Sequence, residues 1–153
     1  MRVQVWTSPA RRPSAPPATG TETPPATGTS ESLSVLIVED NWLVSLELEA
    51  ALIDAGHRVT AIAVSADEAV DACETLRPDL ILMDIRLLGE RDGIDAAIEA
   101  RRRFDIPALF LSAHDDPHFR DRAADARPLG WLSKPITPDR VIVCLETLFA
   151  AHH

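Results

Sequence analysis

The chain has 153 residues, 46% of them apolar, and 24 acidic against 15 basic side chains give a formal net charge of −9. This is enough for one domain with a sizeable core, and the acidic balance argues against a binder of the DNA backbone or an anionic membrane, both of which need a basic face. Cys73 and Cys144 are the only cysteines, and no Cys/His spacing suggests zinc.

Residues 1–32 differ from the rest. They hold six of the twelve prolines, and "PPATGT" occurs twice, at 16–21 and 24–29. So little apolar surface cannot offset ordering entropy, so a disordered Pro/Ala/Thr-rich tail is expected. "ARRPSAPPATG" lacks the apolar run of an export signal. No later apolar stretch is long enough to span a bilayer, so a cytoplasmic protein is expected.

From residue 33 to about 150 short apolar runs alternate with helix-like stretches. The first run, Val35–Val38, meets Glu39 and Asp40. A helix over about 41–55 follows, with Leu43, Leu46, Ala50 and Ile53 along one side and Gly56 as its stop. Val59–Val64 reads as a second strand. Ser65 and Glu68 have capping-box spacing for a second helix, which ends before Pro78. Leu80–Met83 is the third strand, and a helix over about 93–103 follows it. Its "RRRF", residues 101–104, reads as a solvated face, because the three arginines point in different directions round a helix. Ala108–Leu111 is the fourth strand. "DDP" then predicts a helix with Asp116 as cap and Pro117 in the first turn. Gly130–Leu132 is a short fifth strand. Thr137-Pro138 opens a last helix that turns Val141, Ile142, Leu145 and Leu148 inward. Both cysteines fall in apolar helical patterns and read as small buried thiols. His152 and His153 read as a frayed terminus.

Five βα units with continuous apolar strands predict a doubly wound α/β fold, with a parallel sheet covered on both faces. In such sheets sites form beyond the carboxyl ends of the strands. Glu39 and Asp40 end the first strand, Asp84 the third and Ser112 the fourth, while Lys134-Pro135 follows the fifth. Each alone is an ordinary turn or cap residue, and Asp40 or Asn41 serves equally as a helix cap. Together they put three mutually repelling carboxylates at one edge. Mg²⁺ resolves that conflict with oxygen ligands and retained waters. Lys134 supplies a cation for a tetrahedral anion, and Ser112 a hydroxyl.

Read together, "VLIVEDN", "DLILMDIRL", "DG" at 92–93, "LSA" at 111–113 and "SKP" at 133–135 resemble the receiver domain of two-component response regulators, over about Leu33 to Phe149. The loop "IRLLGERDG" lacks the common Met-Pro and resembles the single-domain type. The resemblance implies a flavodoxin-like strand order 2-1-3-4-5 and makes Asp84 the phosphoacceptor. Glu39, Asp40, Asp84 and the Arg86 backbone carbonyl would hold Mg²⁺. Ser112 and Lys134 would contact the phosphoryl group, and Ser112 and Trp131 would be the switch pair, with an indole where the family often has Tyr or Phe. The implied donor is a sensor histidine kinase or a histidine phosphotransfer protein, and the implied output is a protein contact. Two rival readings are a receiver-fold binding module that is never phosphorylated and an aspartyl-phosphate hydrolase of the haloacid dehalogenase type. The hydrolase needs a second Asp two positions after the nucleophile, where Arg86 stands.

Overall fold

The computed structural model describes residues 32–113 and 117–150. Five strands and five helices alternate: β1 (Ser34–Val38), α1 (Trp42–Asp54), β2 (Arg58–Ala63), α2 (Ala66–Leu76), β3 (Leu80–Asp84), α3 (Gly93–Phe104), β4 (Ala108–Ser112), α4 (Pro117–Ala123), β5 (Gly130–Ser133) and α5 (Pro138–Ala150). A single 3-10 turn, Ala124–Ala126, extends α4. The strands form one parallel sheet in the order β2-β1-β3-β4-β5, as expected. The tail to Glu31, the Asp116 cap and the two terminal histidines lie outside the described residues.

β1, β3 and β4 are buried along their whole length, which is why they read as unbroken apolar runs rather than as alternating ones. Leu36, Val38, Ile81, Met83 and Phe110 face α2 and α3 in one core layer. Val35, Ile37, Leu82, Leu109 and Leu111 face α1 and α5 in the other. Cys73 is fully buried in the first layer, and burial pushes its thiol up to about 12. Cys144 is only half-buried.

Local signals set the ends of the helices. The Asn41 carboxamide accepts from Leu43 and Val44 N–H, at 3.0 and 3.3 Å, so Asn41 rather than Asp40 caps α1. Ser65 caps α2, but Glu68 reaches past it to the Val64 N–H at 3.1 Å, so the reciprocal half of the expected box falls one residue early. Asp92 and Asp95 make a full capping box on α3. Val141 and Leu145 of α5 are buried, with Ile142 and Leu148 half-buried beside them.

One expectation fails. α1 buries Ser45, Leu48, Glu49 and Leu52, whereas Leu43 is 62% and Ile53 48% exposed. The helix carries apolar residues nearly all round, so its periodicity does not single out a face. Contact with the core chooses Leu48 and Leu52, and Glu49 is drawn in with them. Its Oε2 is buried without a hydrogen-bond partner, and burial raises its carboxyl.

The arginine triplet is distributed as the helix geometry predicts. Arg101 donates to Ala126 and Arg127 carbonyls, Arg102 pairs with Asp125, and Arg103 pairs with Glu99 and Glu74. The three side chains hold α3 to the 3-10 turn and to α2 and make no common basic patch.

Candidate functional site

Parallel strands release their chains at one sheet edge, so the residues after β1, β3, β4 and β5 meet there. Asp84 stands opposite Leu111 in the register and Ser112 opposite Ser133. Glu39 follows Val38 directly, anchored by its backbone N–H on the Ala63 carbonyl at 3.0 Å. Carboxylate oxygens of Glu39, Asp40 and Asp84 lie within 4.8 Å of one another. Lys134 Nζ lies 3.3 Å from Asp84 Oδ1 and 4.0 Å from Glu39 Oε1. Its backbone N–H donates to the Ser112 carbonyl at 2.7 Å, which ties the lysine turn to the end of β4.

The four side chains differ in burial. Glu39 and Asp84 are buried, Lys134 is half-buried, and Asp40 opens to solvent. Burial raises the Glu39 carboxyl to about 7, helped by the neighbouring Asp84 charge and opposed by the Asn41 N–H and Lys134. Burial likewise raises Asp84, with Lys134 as the main opposing influence. One ammonium against three carboxylates leaves the cluster short of positive charge. Glu39 Oε1 shows the shortage most directly, being buried without a hydrogen-bond partner. An oxygen-seeking dication fits this donor set, because it supplies the missing charge and the missing partner together.

A cavity of about 50 Å³ adjoins Asp84, and Ile85, Arg86, Ser112, Ala113, Phe119 and Lys134 complete its lining. The expected phosphoryl contacts, Ser112 and Lys134, thus share one space with Asp84. Arg86 is exposed at the rim. Trp131, expected as the switch aromatic, is half-buried in β5. It stacks on Phe110 at 4.7 Å between ring centroids, and the Arg120 guanidinium lies 4.8 Å over its ring.

Sequence reasoning missed three contributors. Phe119 reaches the cavity from α4. Arg122, also on α4, forks onto Asp92 at 2.8 and 3.1 Å and reaches Asp95 at 3.0 Å. Burial would raise Asp92, but that guanidinium and the helix N–H groups outweigh it and hold the carboxyl low. Gly93 packs its α-carbon against the end of β3, and its N–H donates to the Ile85 carbonyl at 2.7 Å. "DG" was visible as a motif, but nothing local says why the second residue has no side chain.

Comparison with known proteins agrees with this geometry. Residues 35–146 match the family model for the response regulator receiver domain. The transcriptional regulatory protein PdtaR of Mycobacterium tuberculosis is 35% identical over 112 residues, 73% of this chain and 54% of that protein. The phyllosphere-induced regulator PhyR of Methylorubrum extorquens is 34% identical over 117 residues, 75% of this chain and 43% of that protein. The chain thus spans about half the length of these curated relatives. Among solved structures, the signal receiver domain of a modulated diguanylate cyclase from Desulfovibrio desulfuricans aligns with TM-score 0.71 and 31% identity, covering 79% of this chain and 96% of that one. The chemotaxis regulator CheY4 of Vibrio cholerae shares the fold, with TM-score 0.69 over 77% of this chain and 99% of its own. With the matched segment covering β1 to α5 and the acidic cluster beside the lysine, the chain belongs to the response regulator receiver domain family.

Proposed function

We propose that this receiver accepts a phosphoryl group on the Asp84 carboxylate from a phosphohistidine, carried by a sensor histidine kinase or a histidine phosphotransfer protein. The observation that carries the reading is the meeting of Asp84 with Glu39, Asp40 and Lys134 at one strand edge. Glu39, Asp40, Asp84 and the Arg86 backbone carbonyl would hold Mg²⁺, which when bound neutralises phosphoryl oxygens and keeps Asp84 ionised.

The chain's own residues do the rest. An Asp84 oxygen attacks phosphorus in line as the P–N bond to the donor imidazole breaks, and the electron pair leaves with nitrogen. Lys134 balances charge on the equatorial oxygens, and its contact with Asp84 orients the carboxylate beforehand. The Ser112 hydroxyl, on the same cavity, donates to a phosphoryl oxygen. Its movement toward that oxygen, with the Trp131 environment changing beside it, is the proposed switch. Trp42 and Leu43, 72% and 62% exposed, follow Asp40 at the start of α1, and Ile53 near its end is also exposed. Exposed apolar side chains beside the site support docking of a helical donor protein. Output through protein contact in the cytoplasm completes the reading, with no direct binding of nucleic acid or membrane. No helix of the described residues is long and apolar enough to cross a membrane.

Loading with a small acyl phosphate and Mg²⁺, read by intact-mass spectrometry, tests the assignment. One phosphoryl adduct is expected, lost in Asp84→Asn. An adduct that survives that substitution would place the acceptor elsewhere, and none at all would favour the unphosphorylated binding module. Multiple turnover of a phosphomonoester would favour the hydrolase.

A further inference from the structure

We propose that Phe119 is a positioning residue, the wall that closes the phosphoacceptor pocket and holds water off the phosphoryl group of Asp84. The inference rests on the phosphoacceptor reading above and adds what sets the lifetime of the loaded state.

The cavity beside Asp84 has a volume of about 50 Å³. Space of this kind above about 10–15 Å³ is enough to hold water. A phosphoryl group on Asp84 would share this space with water, so a wall that gives decides how readily water follows. Ile85 and Arg86 follow β3, Ala113 follows β4 and Lys134 follows β5, so each stands within two residues of a strand end. Phe119 is the lining residue that arrives from a separate element. It sits one turn before the buried Ala123 on α4, and its half-buried ring packs against the same core layer as Phe110 and Trp131.

Two anchors fix where that ring stands. Arg122 forks onto Asp92 and reaches Asp95, tying α4 to the start of α3. Arg120 lies over the Trp131 ring, tying α4 to β5. α4 is therefore clamped from both sides, and between the clamps Phe119 lines the same cavity as Asp84 and Ser112. A phenyl ring offers water neither a base nor an acceptor, so it excludes a nucleophile without assisting one.

The reaction it restrains is hydrolysis of the acyl phosphate. Water attacks phosphorus, the bond from phosphorus to the Asp84 oxygen breaks, and its electron pair stays on the carboxylate. One water proton remains on the departing hydrogen phosphate and the other passes to solvent. Attack requires a water on the side of phosphorus opposite the leaving oxygen.

The test follows the acyl-phosphate half-life in the full chain by intact mass, for side chains of graded size at position 119. Each variant is first loaded with a small acyl phosphate and Mg²⁺, so failure to load counts against the phosphoacceptor reading and not against this one. Phe119→Ala should shorten the half-life several-fold, Phe119→Leu should restore most of it, and Phe119→Trp should match or exceed the parent. Circular dichroism and the thermal midpoint are recorded alongside. If Phe119→Ala does not fold, the Leu and Trp variants carry the ranking. A half-life that is the same across the folded variants, or that follows the thermal midpoint rather than side-chain size, overturns the proposal.

Discussion

Gly93→Ala perturbs a place where the backbone at the start of α3 meets the end of β3, the strand that carries Asp84. A β-carbon built on Gly93 lies 2.0 Å from the Asp84 carbonyl oxygen, 2.9 Å from its carbonyl carbon and 3.0 Å from the Ile85 α-carbon. These are buried backbone atoms at the end of β3, so they cannot swing aside as a side-chain tip would. Restoring even a 3.0 Å approach moves the start of α3 back by about 1 Å. The hydrogen bond from Gly93 to Ile85, 2.7 Å long, then passes beyond bonding range. Overpacking a dense interior costs ~1–3 kcal/mol, and the lost bond adds about 1 kcal/mol. Alanine's helix preference returns at most ~1 kcal/mol, so the net loss is about 1–3 kcal/mol out of a typical ~5–15. Urea unfolding followed by far-UV circular dichroism measures it, with the slope unchanged and the midpoint lowered. Without the clash, propensity alone predicts stabilisation. A neutral or stabilised Gly93→Ala would therefore refute the argument by its sign.

Three further outcomes are expected. Asp40→Asn should weaken Mg²⁺ binding, followed by emission of the neighbouring Trp42, while stability without metal holds or rises because a repelling carboxylate is gone; unchanged Mg²⁺ affinity counts against the ligand assignment. His57 accepts the Leu33 N–H through Nδ1 at 3.1 Å, and burial lowers its titration point despite the nearby Glu146 charge. Its contribution is present above the ordinary imidazole value of about 6.5 and is lost as pH falls from there toward the lowered folded value. Between pH 7 and 5 the raised Glu39 carboxyl drives stability the opposite way, so the loss is read as the difference between parent and His57→Asn melting curves, the variant keeping an acceptor and removing the titration. Glu49→Leu should raise the urea-derived stability by about 1 kcal/mol, since it removes a buried oxygen with no partner; destabilisation would mean that the carboxylate is paired in solution.

The alternation of apolar runs with capped helices was enough to foresee the sheet, and the acidic residues at the strand ends were enough to foresee that Glu39, Asp40 and Asp84 would meet at one edge. Both are one-dimensional signals. Burial on two faces writes itself as a continuous run such as Leu80–Met83, and a parallel strand delivers whatever follows it to a known edge. The inward face of α1 was not legible, because Leu43, Leu46, Leu48, Leu52 and Ile53 satisfy more than one periodic pattern. Only packing against the sheet selected Leu48 and Leu52 and carried Glu49 inside. The reason for Gly93 was also hidden, since its close neighbour is the backbone of Asp84, nine positions away in sequence. Phe119 and Arg122 read as ordinary members of a short helix. Their placement depends on where α4 docks, against Asp92 at the start of α3 and Trp131 on β5, contacts between elements that leave no periodic trace in the sequence.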